Sequence, residues 1–282
     1  MHVVTTIAPA LHDGAAGRCA NAEEPGVKNL FDVSGKTVLV TGGTSGIGMM
    51  IARGFVENGA KTYVASRKAD QCAETEKALS EYGECIGIPA DLSTEAGCNA
   101  LADDVASREG RLDVLVNNAG ANWGEPMETF PDEAWDKVLA LNVKAVFHLT
   151  RRLVPLLEKA ASDEDPARVI NIGSIDGLTP PMLDTFSYSA SKAAVHHMSR
   201  VLAKKLAPKR ITVNAVAPGP FQSKMMRATL ETFGDSIRDS NPLGRIGQDE
   251  DMAGIALFLA SRAGAYVTGA VIPVDGGMST TT

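Results

Sequence analysis

A doubly wound α/β domain, with a parallel sheet covered by helices on both faces, is the architecture this sequence predicts. Three observations lead there. Short runs rich in Val, Ile, Leu and Ala recur along the chain and alternate with longer amphipathic stretches, as expected of strands buried on both faces and the helices that bury them. The first apolar run stops at a cluster of glycines, and a helical pattern follows at once. The 282 residues, 44% hydrophobic and 22% charged, have an ordinary globular balance and enough length for a sizeable core.

The alternation begins at Lys36. Thr37 to Val40 predicts the first strand, and Ile47 to Asn58 the first helix, with Gly59 as its stop. Lys61 to Ala65 predicts a strand, Ala69 to Glu81 a helix ended by Gly83, and Cys85 to Ile88 a third strand. Thr94 to Arg108 is helical and Leu112 to Val116 a fourth strand. Asp132 to about Leu157 carries one long helical pattern with Pro155 near its end. Val169 to Ile172 predicts a strand, Tyr188 to Leu206 a helix, and Thr212 to Ala215 and Ala270 to Val274 the last two strands. Residues 221–248 form an irregular insertion. Residues 1–34, rich in Ala and Gly and without sustained periodicity, are expected to be a flexible extension that ends near Leu30 and Phe31 and docks on the domain. Residues 35–282 are expected to form a single domain, with no internal boundary or repeat.

Composition narrows the function. A net charge of -7 argues against nucleic acid or an anionic membrane as the main partner, and no apolar run approaches a bilayer-spanning length. The start shows no basic segment followed by an apolar stretch, so no secretory leader is expected. Cys19, Cys72, Cys85 and Cys98 have no CxxC or zinc-ligand spacing. Reduced thiols in a cytoplasmic protein, with no metal site, are the expectation. His196 and His197 are adjacent on a predicted helix and so point in different directions, which does not suit a two-histidine metal site.

The glycine cluster is Thr41-Gly42-Gly43-Thr44-Ser45-Gly46-Ile47-Gly48, between the first strand and the first helix. There, backbone N–H groups and the helix dipole favour an anion, and glycine lets a pyrophosphate approach closely. The spacing is not the usual dinucleotide fingerprint; a glycine turn with no ligand is the bland alternative. The second strand ends Ala65-Ser66-Arg67-Lys68, with no carboxylate to hold a ribose 2′-hydroxyl. Arg67 suits a 2′-phosphate through its planar fork, with Lys68 and Ser66 beside it. NADP(H) is therefore expected over NAD(H), against the alternative of a solvated helix start. Asp91-Leu92 and Asn117-Asn118-Ala119-Gly120 follow the third and fourth strands, on the ligand edge of such a sheet. Asp91 suits an adenine amino group or a helix cap, and the Asn-Asn-Ala-Gly run suits a ribose or an ordinary turn.

Tyr188-Ser189-Ala190-Ser191-Lys192 places a phenol and an ammonium one helical turn apart, with Ser174 a short loop upstream. A fixed positive charge is expected to lower the tyrosine pKa from about 10 toward the working range, and Ser174 would hold the oxygen of a carbonyl or alcohol. A tyrosine and a lysine extending into solvent give the same pattern.

Taken together, Thr41-Gly42, Gly46-x-Gly48, Asn117-Asn118-Ala119-Gly120, Asn142, Ser174, Tyr188-x-x-x-Lys192 and Pro218-Gly219 fall in the order and near the spacing of the short-chain dehydrogenase/reductase family, which residues 36–277 resemble. The resemblance implies a Rossmann-type fold with a seven-stranded parallel sheet, assembled as a homotetramer or homodimer. It also implies roles: Tyr188 as general acid-base, Lys192 lowering its pKa and contacting the nicotinamide ribose, Ser174 orienting the substrate oxygen, and Asn142 holding a water. Thr44, Ser45, Ile47, Leu92, Ala119, Pro218 and Gly219 would contact the cofactor, and residues 221–248 would be a substrate lid. Among subgroups the chain is most similar to bacterial 3-oxoacyl reductases of the fatty-acid or rhamnolipid-precursor type, through Ile88-Pro89-Ala90-Asp91-Leu92-Ser93, Ala167 to Ser174 and Val271 to Gly277. It departs from many NADPH-using members in carrying Thr44-Ser45, without a basic residue, in the glycine turn. The apolar residues of 176–187 and Phe221, Met225 and Met226 suit either a greasy substrate pocket or a core and subunit interface. A 3-oxoacyl thioester is the first expectation for the substrate. A sugar, polyol or small ketone is the second, and a non-catalytic NADP-binding regulator is a third reading.

Overall fold

The computed structural model describes residues 27–223 and 226–281, and among these seven strands and eight α-helices follow one another. The strands are β1 (Thr37–Thr41), β2 (Lys61–Ser66), β3 (Cys85–Pro89), β4 (Val114–Asn117), β5 (Ala167–Ile172), β6 (Ile211–Pro218) and β7 (Val271–Val274). The helices are α1 (Gly46–Glu57), α2 (Ala69–Leu79), α3 (Glu95–Arg108), α4 (Asp132–Leu139), α5 (Ala145–Ala160), α6 (Phe186–Leu206), α7 (Arg227–Ser240) and α8 (Asp249–Ala260). All strands pair in parallel, in the order β3-β2-β1-β4-β5-β6-β7. The winding reverses between β1 and β4, which opens a crevice at the carboxyl edge of the sheet.

Alternation along each strand decides which helices it meets. Val38 and Val40 of β1, with Val114 and Val116 of β4, pack with Ile51 and Phe55 of α1 and Met252 and Leu259 of α8. Leu39 and Leu115 turn to the other face, against Leu101 and Val105 of α3, Leu149 and Leu153 of α5, and Leu206 of α6. Full burial of each such side chain contributes roughly 1.5–3 kcal/mol. Arg168, at the start of β5, is 1% exposed. Its guanidinium donates to Leu259 O, Ser261 O and Asp165 Oδ1, each at 2.9 Å. It thereby satisfies carbonyls that the end of α8 leaves open.

Three elements differ from the sequence expectation. The helical path over Asp132–Ala160 contains a wide π turn at Ala140–Lys144, where Ala145 N–H reaches back to Ala140 O. The insertion 221–248 is not irregular throughout, because it holds α7. α8 was not expected at all; it starts on a capping box, in which the Gln248 side chain accepts from the Asp251 amide and Asp251 Oδ2 accepts from Gln248 N–H at 2.8 Å.

Residues 1–26, which include Cys19 and most of the expected extension, lie outside the described residues, as does Met225. From Val27 the chain runs along α8: Ala263 N–H donates to Leu30 O at 3.0 Å, and the Phe31 ring lies 6.4 Å from that of Phe258. Cys72, Cys85 and Cys98 are buried free thiols. No helix of the described residues is long and apolar enough to cross a membrane.

Candidate active site

The glycine turn gathers at the crevice because only glycine fits there. Gly42 has φ +64°, and a Cβ on it would stand 2.8 Å from Asn118 Nδ2. A Cβ on Gly48 would stand 2.3 Å from Gly42 O. Thr41 and Asn118 fasten this turn to the loop after β4. Thr41 Oγ1 accepts from the amides of Asn118 (3.0 Å) and Ala119 (3.1 Å), and Asn118 Nδ2 donates to Thr41 O at 2.9 Å. At the start of α1, Ser45 makes no side-chain cap and the first turn carries no acidic residue. The first amides of α1 are thus left for an anion. This close backbone, an uncapped helix start and a neighbouring cavity of about 560 Å³ fit the pyrophosphate of a dinucleotide.

Gly42, Ser45, Gly46, Ile47, Asn118, Ala119, Gly120, Ser174, Tyr188, Lys192, Pro218 and Gly219 all line that cavity. Thr44 lies in the same turn, away from the cavity wall, and Gly48 is buried behind it. Ser66, Arg67, Lys68 and Asp91 sit beyond the wall at the ends of β2 and β3, with Arg67, Lys68 and Asp91 exposed. Asp91 is not the cap of α3; Thr94 is, accepting from Gly97 N–H at 3.1 Å. The Asp91 carboxylate instead accepts from Ser93 N–H at 3.0 Å, which holds its pKa below the usual carboxylate range, with Arg67 nearby adding to the effect. The Leu92 side chain is in the core beside Leu101, which leaves its backbone to meet a ligand at the crevice.

The π turn places Asn142 behind the cavity, 2% exposed. Its Oδ1 accepts from Ala121 N–H (2.8 Å), and its Nδ2 donates to Ala121 O (3.0 Å) and Ser191 Oγ (2.9 Å). A Cβ on Gly120 would lie 3.3 Å from Asn142 Oδ1 and 3.8 Å from Lys192 Nζ, so the three are neighbours. Lys192 is 5% exposed, donates to Ile172 O at 2.8 Å, and has its ammonium 5.4 Å from the centre of the Tyr188 ring. Ser174 Oγ accepts from Asp176 N–H at 3.1 Å. The Ser174 and Tyr188 hydroxyls face the same cavity, close enough for the serine to act on the phenol.

The electrostatics reverse one expectation. Burial pushes the Tyr188 phenol up to about 12, with the Ser174 hydroxyl pulling the other way. Burial outweighs that pull and also drives Lys192 itself down to about 8, with Asp176 opposing the fall. A buried ammonium is costly to charge, and this one is held several ångströms from the phenol. Sequence reasoning also missed the fastening role of Thr41, and it missed Ser191 and Asp176 as parts of the site. The first two act through partners distant in the chain; Asp176 could have been noticed two residues after Ser174. His196 is buried and His197 exposed, so they point apart. Among the described residues no group of three His, Cys, Asp or Glu could hold a metal ion.

An anion cradle at the switch point of a doubly wound sheet, facing a half-buried tyrosine and a buried lysine and serine, defines a nucleotide-dependent oxidoreductase. The comparisons with known proteins agree. A family model described as Enoyl-(Acyl carrier protein) reductase matches residues 42–279. The rhamnolipids biosynthesis 3-oxoacyl-acyl-carrier-protein reductase of Pseudomonas aeruginosa is 49% identical over 253 residues, covering 88% of this chain and 97% of that protein. A structure titled as the Pseudomonas aeruginosa RhlG/NADP active-site complex superposes with a TM-score of 0.86 at 48% identity, over 89% of this chain and 98% of that one. The galactitol 2-dehydrogenase (L-tagatose-forming) of Cereibacter sphaeroides is 36% identical, over 89% of this chain and 97% of that protein. The chain belongs to the short-chain dehydrogenase/reductase family and is an oxidoreductase.

Proposed function

We propose that this protein is an NADPH-dependent reductase of 3-oxoacyl thioesters. The observation that carries the reading is the single cavity shared by Ser174, Tyr188, Lys192 and the glycine turn. When bound, the nicotinamide supplies the hydride that reduces the carbonyl carbon. The residues do the rest. Ser174 and Tyr188 orient the carbonyl oxygen; Tyr188 gives it a proton as the negative charge develops. A phenol held near 12 is fully protonated at neutral pH and poised as an acid. Lys192 stabilises the phenolate left behind, and Asn142 fixes the segment that carries Lys192 through Ser191. Gly42, Gly46, Gly48 and the α1 amides hold the pyrophosphate. Arg67, with Lys68 and Ser66, takes the 2′-phosphate. Asp91, Leu92 through its backbone, Asn118, Ala119 and Gly120 serve the adenosine and ribose, and Pro218-Gly219 frames the nicotinamide.

The apolar wall formed by Pro180, Pro181, Leu183, Ile237 and Met278 favours an acyl chain over a sugar. Phe147 on α5 and Val201 on α6 are 41% and 47% exposed, which supports burial in a homotetramer or homodimer. A cytoplasmic location, an N-terminal extension over residues 1–34 and a substrate lid over 221–248 complete the reading. The test is a panel of 3-oxoacyl thioesters, sugar ketones and small ketones, followed by NADPH absorbance, with Tyr188→Phe beside the native enzyme. The expected result is turnover of the thioesters, lost by 10²-fold or more in Tyr188→Phe while NADPH binding persists (roughly,). Turnover confined to sugar ketones would support the polyol reading suggested by the galactitol 2-dehydrogenase relative. NADPH binding with no turnover at all would support a regulator.

A further inference from the structure

We infer that Asp176 is a positioning residue that sets the charge of the Tyr188–Lys192 pair, biasing the site toward giving a proton to a carbonyl rather than taking one from an alcohol. The inference deepens the reductase reading and rests on it for its consequence.

Asp176 lies in a 3-10 turn, Ile175–Gly177, immediately after Ser174. The turn rests directly on α6: a Cβ on Gly177 would stand 2.7 Å from Lys192 C and from Ala193 N. Among the described residues lining the main cavity, Asp176 is the one acidic side chain and Lys192 the one basic side chain. The Asp176 amide is engaged by Ser174 Oγ, but no described residue donates a hydrogen bond to its carboxylate or pairs with it within 4.0 Å. Its field is therefore not spent on a local partner, and it falls on the groups sharing the cavity. From α6 these are Tyr188, Lys192 and His196, whose ring packs on Gly177. From the segment after the turn the group is Asp184, which shares an adjoining pocket with Asp176.

A carboxylate beside a phenol disfavours the phenolate, and beside an ammonium favours the charged form. Both directions are present here. Asp176 adds to the burial that raises Tyr188, and opposes the burial that depresses Lys192. Burial in turn holds the Asp176 carboxyl above its ordinary range, with Lys192 opposing. Tyr188 thus stays a phenol over a wide range of pH, which suits reduction. Oxidation of an alcohol needs the phenolate and is confined to more alkaline conditions.

The test is Asp176→Asn, which keeps the shape and removes the charge. Tyrosinate ultraviolet absorbance is titrated in the full-length protein, with Tyr188→Phe in each background as the reference, so that Tyr188 alone is read. The basic limb of kcat/KM for ketone reduction is measured alongside. The expected result is a downward shift in the Tyr188 titration, with the reduction limb moving the same way. Asp176→Glu should restore most of the shift, and Asp176→Ser serves if the Asn variant does not fold. Tyr188 titrating at the same or a higher pH without the carboxylate overturns the inference. A downward shift in a protein that reduces no carbonyl would uphold the inference and sink the reductase reading instead.

Discussion

Asn142→Ala tests the idea that the π turn exists to lock the active site. Asn142 makes three hydrogen bonds from a buried position, two to the backbone of Ala121 and one to Ser191 Oγ. Each such bond contributes roughly 1 kcal/mol net, so the variant should lose about 3 kcal/mol of unfolding free energy. Asn142→Asp keeps the acceptor for Ala121 N–H but turns the two donations into an oxygen facing Ala121 O. It should lose about 2 kcal/mol from the two missing bonds, and more from that repulsion. Ser191 immediately precedes Lys192, and Gly120 sits between Asn142 and the ammonium, so a loosened Asn142 lets the catalytic lysine drift. A displacement of about 1 Å can cost about 100-fold in rate, and kcat should fall far more than the NADPH dissociation constant rises. Urea unfolding at fixed protein concentration, followed by the fluorescence of Trp123 and Trp135, gives the first quantity; steady-state kinetics give the second. An alanine variant within about 0.5 kcal/mol of the native protein, inside the range of an ordinary surface change, and with undiminished kcat would refute the reasoning.

Other expectations follow from the same geometry. Arg67→Ala should raise KM for NADPH roughly 10- to 100-fold, as loss of a charge-assisted contact predicts, and leave KM for NADH nearly unchanged; equal effects on both would remove Arg67 from the 2′-phosphate. Gly48→Ala drives a Cβ to 2.3 Å from Gly42 O and 2.4 Å from Asn118 Nδ2, so fluorescence titration should show NADPH affinity down by tenfold or more (roughly,). Burial drives His196 from 6.5 down to about 4, and neither ring nitrogen has a partner among the described residues. Between those pH values the unfolded chain binds the proton and the folded chain refuses it, so stability is complete above 6.5 and is lost as pH falls toward 4. His196→Leu should flatten this acid limb in urea titrations at stepped pH; an unchanged slope would locate the proton uptake elsewhere.

Much of the fold was legible because apolar runs and amphipathic stretches alternate so regularly. All seven strands fall where the sequence places them, although β6 runs on to Pro218 where the expectation stopped at Ala215. Proline argues against a strand interior, but at the last position its missing N–H costs no ladder bond. The π turn left no trace in Ala140-Leu141-Asn142-Val143-Lys144, which contains no helix breaker; it is set by the bonds Asn142 makes to Ala121 and Ser191. α7 escaped notice because polar residues dominate it, and α8 because its apolar residues pack on more than one side and blur the helical period. In the site, the glycine turn and Tyr188-x-x-x-Lys192 were visible as local patterns. Thr41 and Asn118 were visible as parts of those motifs, but not their bonds to each other, nor the support from Ser191, since these partners meet only after the chain has folded. The direction of the Tyr188 shift was misjudged for the same reason: spacing reveals a neighbouring charge, whereas the walls that exclude water come from elements far apart in sequence.

The guanidinium of Arg168 carries an implication for the order of biosynthesis. Its partners at Leu259 and Ser261 leave the ribosome some 90 residues after it does. Until they arrive, only Asp165, three residues upstream, is at hand to pair with a charge that the finished fold buries. The burial of this charge is therefore completed only when α8 docks and its carbonyl end reaches the guanidinium.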